Sequence, residues 1–164
     1  MKGTIQPDRP WKSGASAPRL GPLMMRLQPL RANVSIDHEQ QLIRAFFVPA
    51  KRDRYIEMIA STRGRQKFLR ELSHFKSLDP QYCAGLPNAV RTPGEIASFL
   101  NEKGAPPTCR VTSEDRDLDR QEMSLVEALK RIVGYQMGTF LSCLPGKLAY
   151  FEDEEHRWIL ERRD

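Results

Sequence analysis

The stretch from residue 123 to residue 151 constrains the fold of this chain more than any other part of it. Ser124 and Glu127 have the S-x-x-E spacing of a capping box, which marks the N-terminus of a helix. Apolar side chains then recur at helical period, and Gly134 can end the helix in a left-handed conformation. The pattern therefore predicts an amphipathic helix, whose apolar stripe is Leu125, Ala128, Leu129, Ile132 and Val133.

A β-hairpin is predicted directly after this helix. Residues 139–143 and 148–151 flank the sequence Leu-Pro-Gly-Lys, in which Pro145 and Gly146 match a type II turn. The last segment, residues 157–162, alternates around Trp158 and Leu160 and predicts a further strand. We expect the apolar stripe of the helix to be buried against an antiparallel meander made of these three segments.

Upstream of this unit, local start signals predict four more helices. The first three helices start with Ser35 as N-cap, Pro49 as the first helical residue and Thr62 as N-cap. The fourth starts with Thr92 as N-cap, Pro93 as the first helical residue and Glu95 as the capping-box acid. A short strand is predicted over residues 108–112, whereas residues 76–91 lack periodicity and indicate a loop that is either functional or simply connecting. The expected fold class is α+β, with N-terminal helices followed by a β-α-β-β-β unit that ends in the meander.

Residues 1–34 differ in composition from the rest of the chain. They hold five prolines and scattered Lys and Arg, and no apolar period runs through them. We expect a disordered basic arm, followed by a single α+β domain over residues 35–164. Met24 and Met25 further suggest that translation begins there and that the first 23 residues are an extension.

Several classes of protein are disfavoured by what the sequence lacks. No apolar run approaches the ~20 residues of a membrane helix, and the N-terminus holds no apolar signal-peptide core. The three cysteines are odd in number and far apart, which favours free thiols in a reducing cytoplasm. No C-x-x-C or H-x-x-x-H pair, Walker loop or G-x-G-x-x-G fingerprint occurs, so we expect neither a metal nor a cofactor.

Charge is distributed unevenly along the chain. Residues 1–76 carry 15 Lys/Arg against 6 Asp/Glu, whereas residues 77–164 carry 11 against 15. A helical face of cations can lie along a phosphate backbone, although a solvated face or pairing with the acidic half explains the same pattern. The candidate anion-binding residues are Arg63, Lys67, Arg70 and His74, at helical spacing in the third helix, and Lys51, Arg52 and Arg54 before it.

An acidic cluster precedes the helix of the central stretch. Its residues are Glu114, Asp115, Asp117, Asp119 and Glu122. An EF-hand loop that starts at Asp115 requires Gly and Glu where this chain has Arg120 and Val126. We therefore interpret the cluster as a solvated loop ahead of a helix N-terminus, where negative charge is favourable.

Two further arrangements were considered for chemistry. Ser142, His74 and Asp79 supply the residue types of a catalytic triad, but no G-x-S-x-G turn accompanies them. Aromatic residues of the meander, Tyr150, Phe151 and Trp158, could form a base-stacking sheet surface, although burial in the core is the simpler use.

Three functional hypotheses remain open at this point. The first, which we favour, is a non-enzymatic module whose basic helices bind RNA, DNA or another polyanion. The second is an interaction domain that binds an acidic protein partner or a second copy of itself. The third is an enzyme whose site is assembled from dispersed residues near the 76–91 loop.

Overall fold

The structure is a computed structural model that describes residues 36–163. Its helices are α1 (36–46), α2 (Arg52–Ile59), α3 (Thr62–Glu71), α4 (Pro93–Glu102) and α5 (Leu125–Ile132). Its strands are β1 (Cys83–Gly85), β2 (Thr108–Ser113), β3 (Glu122–Ser124), β4 (Thr139–Leu144), β5 (Leu148–Glu152) and β6 (Arg157–Glu161). The predicted arm over residues 1–34, the start at Met24 or Met25 and the N-cap at Ser35 lie outside the described residues.

The six strands form one sheet in the order β1-β6-β5-β4-β2-β3, and every neighbouring pair is antiparallel. The meander of β4, β5 and β6 and the α+β fold class are confirmed. The two edge strands, β1 and β3, were not predicted. Strand β1 lies within residues 76–91, which were predicted to form a loop. Each has only three residues, which is too short to show an alternating pattern.

Helices cover both faces of this sheet. Phe140, Phe151 and Leu160 belong to one core, which they share with apolar side chains of α1, α2 and α3. Leu141 and Tyr150 point the other way, into a second core built with α4 and α5. Burial on both faces explains why β5, whose five residues are all buried, is almost continuously apolar. Since Tyr150 and Phe151 are buried on opposite faces, they cannot share a stacking surface.

The helix of the central stretch forms as predicted, but only the Ser124 half of the predicted capping box is present, and the Glu127 carboxylate pairs with Lys130 instead. The N–H of Glu127 donates to Ser124 Oγ at 3.5 Å, and Gly134 adopts a φ of 86° beyond the last turn. Four of the five predicted stripe residues are at most 1% exposed, and they pack against α4 as well as the sheet. Val133, the fifth, is half-buried because the helix ends before it.

A close contact fixes where α3 begins. The N-cap is Ser61 rather than Thr62, and its hydroxyl accepts a hydrogen bond from the N–H of Gly64 at 3.1 Å. A Cβ on Gly64 would lie 2.5 Å from the carbonyl oxygen of Met58, so a side chain there would clash with α2. Glycine at this position therefore allows the tight corner that sets the direction of α3.

Candidate functional site

The two sides of α3 differ sharply in their surroundings. Phe68 and, just beyond the helix, Leu72 are fully buried in the core. Arg63, Lys67 and Arg70 lie on the other side, where all three side chains are exposed. None of the three has an ion pair or a hydrogen bond from its side chain to another described residue. We refer to these three residues as the basic face.

His74 lies beyond the helix that carries the basic face. The α-helix ends at Glu71, and Leu72–His74 form a 3-10 turn, so the period of 3.6 residues no longer applies there. His74 Nε2 lies 3.6 Å from Glu154 Oε2, beside the turn between β5 and β6. We therefore leave His74 out of the basic face, and its predicted role in anion binding stays a prediction.

The three cations of the preceding helical segment are engaged within the protein. Lys51 Nζ donates to the hydroxyl of Ser77 at 3.2 Å, and Arg52 Nε donates to the carbonyl of Phe47 at 2.9 Å. Arg54 Nη2 donates to Glu71 at 3.3 Å. Lys51, Arg52 and Arg54 thus have partners within the protein, unlike the three cations of the basic face.

A buried charge network lies on the inner side of α3. Arg65 donates two hydrogen bonds to Glu39, at 2.5 and 2.6 Å, and a further one to Asp119 Oδ1 at 2.8 Å. Thr112 donates to Glu39 at 3.1 Å, and the N–H of Ser113 donates to Asp119 at 3.1 Å. The network joins α1, α3, β2 and the loop before β3 around one guanidinium group.

Electrostatics favour the charged form of this arginine. Burial by itself lowers the pKa of Arg65, but the hydrogen bonds and charges of Glu39, followed by those of Asp119, outweigh burial and raise the pKa above its ordinary value. The side chain of Arg65 is only 6% exposed, so the two carboxylates replace the water it has lost. Arg65 therefore fixes α3 in position while its neighbours Arg63 and Lys67 face outward.

Part of the acidic cluster is solvated, since Asp117 and Glu122 are exposed, and part of it makes internal contacts. Asp119 forms an ion pair with Arg65, and Glu122 forms one with Arg110 at 2.8 Å. Asp115 accepts a hydrogen bond from the N–H of Asp117 at 2.9 Å, which stabilises the turn itself. Within residues 36–163, no three His, Cys, Asp or Glu side chains are grouped so that they could hold a metal ion. The cluster thus serves the internal structure of the loop.

The residues of the considered triad do not come together. Ser142 Oγ lies 3.3 Å from Nδ1 of His38, a pairing that the sequence did not suggest, whereas His74 lies beside Glu154. Asp79 accepts hydrogen bonds from Gln81. Burial, and then the charge of Arg110, lowers the pKa of His38, which favours the neutral ring that can accept the proton of Ser142. Because Ser142 is only 6% exposed, this pair satisfies a buried hydroxyl.

The three cysteines are free thiols, as expected. Cys109 and Cys143 are buried and Cys83 is half-buried. Burial raises the pKa of Cys83 to about 11 and that of Cys109 to about 12, and it raises the pKa of Cys143 as well. The thiolate is the reactive form, so all three side chains are poor nucleophiles at neutral pH.

We predict slow labelling of the native thiols with a coloured disulfide reagent. At pH 8 Cys83 should react first because it is the most accessible, at a rate about 10²-fold below that of an unhindered thiol, since its thiolate fraction is lower. The rate should rise with pH up to the raised pKa, and guanidinium should expose all three thiols together. A native cysteine that reacts at pH 8 as fast as a free thiol would contradict this description.

A cleft borders the segment that was predicted as a loop. It has a volume of about 360 Å³ and lies between residues 85–91 and the start of β6. Arg91, His156, Arg157 and Trp158 line it, which brings two cations and two aromatic rings together. Sequence reasoning assigned no role to Arg91, His156 or Arg157, because their proximity depends on the unpredicted pairing of β1 with β6.

Comparisons with protein-family models, with curated proteins and with solved structures found no match to this chain. In the part of the chain that the structure describes, no helix has the length and apolar character needed to span a membrane.

Proposed function

We propose that this chain is a non-enzymatic binding module whose basic face, Arg63, Lys67 and Arg70, contacts RNA, DNA or another polyanion. The observation that supports the proposal is the contrast within α2 and α3. Arg54 and Arg65 are paired with carboxylates, whereas the three cations of the basic face have no partner among the described residues. Unpaired cations at helical spacing on one exposed side leave their head groups free for an external anion.

The spacing suits a phosphate backbone. With a rise of ~1.5 Å per residue, the basic face extends about 10 Å along the axis of α3. One strand of duplex DNA presents a phosphate every ~3.4 Å of helix axis, so this length faces roughly three phosphates. Contacts of this kind depend on charge and spacing rather than on base identity, so we expect generic affinity with little sequence preference.

The inner side of α3 supports this use. Phe68 is buried in the core, and Arg65 is held by carboxylates from two other parts of the chain. The backbone of α3 is therefore fixed before any ligand arrives. A fixed helix means that binding orders only the side chains of the basic face, which lowers the entropic cost of association.

We predict that reversing the charge of the basic face abolishes binding without unfolding the chain. In the variant Arg63→Glu, Lys67→Glu and Arg70→Glu, affinity for short labelled RNA and DNA should fall at least tenfold at low salt, because three favourable phosphate contacts become repulsive. Fluorescence anisotropy measures the affinity, and circular dichroism checks the fold. All three side chains are exposed, so stability should change little.

A matched control separates the basic face from net charge. Lys130, Arg131 and Arg163 are also exposed, and changing all three to Glu alters net charge by the same amount away from α3. This control should retain affinity within about threefold, because long-range effects between exposed charges are screened. Equal loss in both variants would show that α3 is not the binding surface, and absence of binding by the parent at low salt would refute the proposal.

An acidic protein partner or a second copy of the chain is the alternative occupant of the same face. Polyglutamate, used as an anisotropy competitor, distinguishes an acidic protein partner from a nucleic acid. Tighter binding to polyglutamate than to RNA of equal charge would contradict a preference for phosphate and favour an acidic protein partner.

A further inference from the structure

The cleft beside β1 is open to solvent and large enough to hold a small ligand. One side comes from the end of β1 and the segment that follows, including Gly85 and Asn88. The other side comes from the turn before β6 and the first residues of that strand. A volume of about 360 Å³ falls within the range of ~300–1,000 Å³ typical of small-molecule sites.

One wall of the cleft is aromatic and preorganised. The rings of His156 and Trp158 are stacked, with centroids 5.4 Å apart and planes inclined by 18°. His156 Nδ1 lies 3.2 Å from a carboxylate oxygen of Asp153, which is buried and also accepts the backbone N–H groups of Glu155 and His156. Asp153 thus holds the imidazole against the indole, and 41% of the His156 side chain stays exposed for a further flat ring.

The cleft also presents two guanidinium groups. Arg91 Nε donates to the carbonyl of Asn88 at 3.0 Å, and Arg157 Nε lies 3.5 Å from Glu152. Within residues 36–163, Arg91 has no ion pair and its terminal nitrogens donate no hydrogen bond, whereas Arg157 is paired with Glu152 and keeps 38% of its side chain exposed. Two guanidinium ends beside an aromatic wall match a ligand that joins a flat ring to an anion.

We propose that this cleft binds one nucleotide. The base extends the stack formed by His156 and Trp158, and the phosphate accepts hydrogen bonds from Arg91 and Arg157. Glu155 is the one carboxylate among the described lining residues, and its charge opposes the phosphate. The site uses no residue of the basic face, so it stands apart from the function proposed above. The nucleotide comes either free from solution or as part of a single strand, because both carry the same base and phosphate chemistry.

Tryptophan fluorescence tests the proposal directly. The chain has two tryptophans, so a Trp11→Phe background makes Trp158 the only indole. Titration of this full-length protein with adenosine 5′-monophosphate should quench the emission saturably, with half-saturation below about 1 mM. Adenosine without the phosphate should bind at least threefold more weakly. No saturable quenching by the monophosphate at about 10 mM would overturn the proposal, since affinity weaker than this amounts to less than ~3 kcal/mol.

Three variants in the same background assign the roles. Arg91→Ala, at an exposed position, should remove the preference for the monophosphate over adenosine, whereas Arg131→Ala on α5 should leave that preference unchanged. His156→Ala should weaken binding of both ligands, and His156→Phe should restore it because the flat ring returns. Glu155→Gln should strengthen binding of the monophosphate. Normal affinity in both Arg91→Ala and His156→Ala would show that the nucleotide binds elsewhere.

A short single-stranded RNA distinguishes the two sources. If the RNA quenches at a lower half-saturating concentration than the monophosphate, and if His156→Ala removes this quenching, the ligand is a nucleotide within a strand. Equal or weaker quenching by the RNA identifies the free nucleotide. RNA binding that persists in His156→Ala and disappears on charge reversal of Arg63, Lys67 and Arg70 supports the basic face alone and overturns a strand-bound nucleotide in the cleft.

Discussion

Replacing Arg65 with methionine is expected to lower the free energy of unfolding by about 3–5 kcal/mol, because the change leaves two carboxylates in the interior without their cation. Glu39 and Asp119 both depend on this guanidinium, and their side chains are 7% and 13% exposed. Methionine fills a similar volume, so the loss reports the missing charge rather than a cavity. The variant should also loosen α3, which Arg65 joins to α1 and to the loop before β3.

Urea unfolding followed by circular dichroism measures this loss. Arg63→Met is the matched control, since Arg63 lies two residues away on the exposed side, and it should change stability by no more than about 0.5 kcal/mol. A double-mutant cycle with Glu39→Gln should show a coupling energy above about 1 kcal/mol, because the two side chains share two hydrogen bonds. A change below about 1 kcal/mol in Arg65→Met would contradict the structural role assigned to the network.

Leu129→Asp should abolish cooperative folding. Leu129 is 0% exposed and packs in the apolar core formed by α5, α4 and the sheet, where an aspartate would be removed from water. Loss of apolar burial and introduction of a buried charge together exceed about 5 kcal/mol, which is comparable to the total stability of many domains.

Thermal unfolding by calorimetry checks this result. Val126→Asp is the control on the same helix, because Val126 is 37% exposed and an aspartate there remains hydrated. We expect Val126→Asp to retain a sharp transition within a few degrees of the parent and Leu129→Asp to show none. A normal melting temperature for Leu129→Asp would mean that the inward face of α5 is misassigned.

Local signals were sufficient to predict much of the fold. The cap at Ser124, the stripe that includes Leu129 and the turn at Pro145 and Gly146 each depend on residues close together in sequence, and all are present. The Lys147 N–H donates to the Leu144 carbonyl at 3.0 Å, the hydrogen bond that often closes such a turn. The short edge strands were missed because each is defined by its pairing with a distant partner rather than by its own pattern.

The candidate site was predictable only in part. Periodicity placed Arg63, Lys67 and Arg70 on the exposed side of α3, and the structure agrees. Arg65 was missed because an arginine is ordinarily assigned to the surface, although it precedes Phe68 by three residues and so shares the buried side. Its partner Asp119 is 54 residues away, and no local pattern links the two. The cleft depends on the same kind of long-range contact.

The salt dependence of RNA binding tests the central claim most directly. For a single strand, the logarithm of the binding constant falls with the logarithm of salt concentration by ~0.7 for each phosphate neutralised. The slope for the triple variant Arg63→Ala, Lys67→Ala and Arg70→Ala should therefore be smaller in magnitude than that of the parent by about 2. The variant should remain as fully folded as the parent. An unchanged slope would contradict the assignment of the basic face as the polyanion-binding surface.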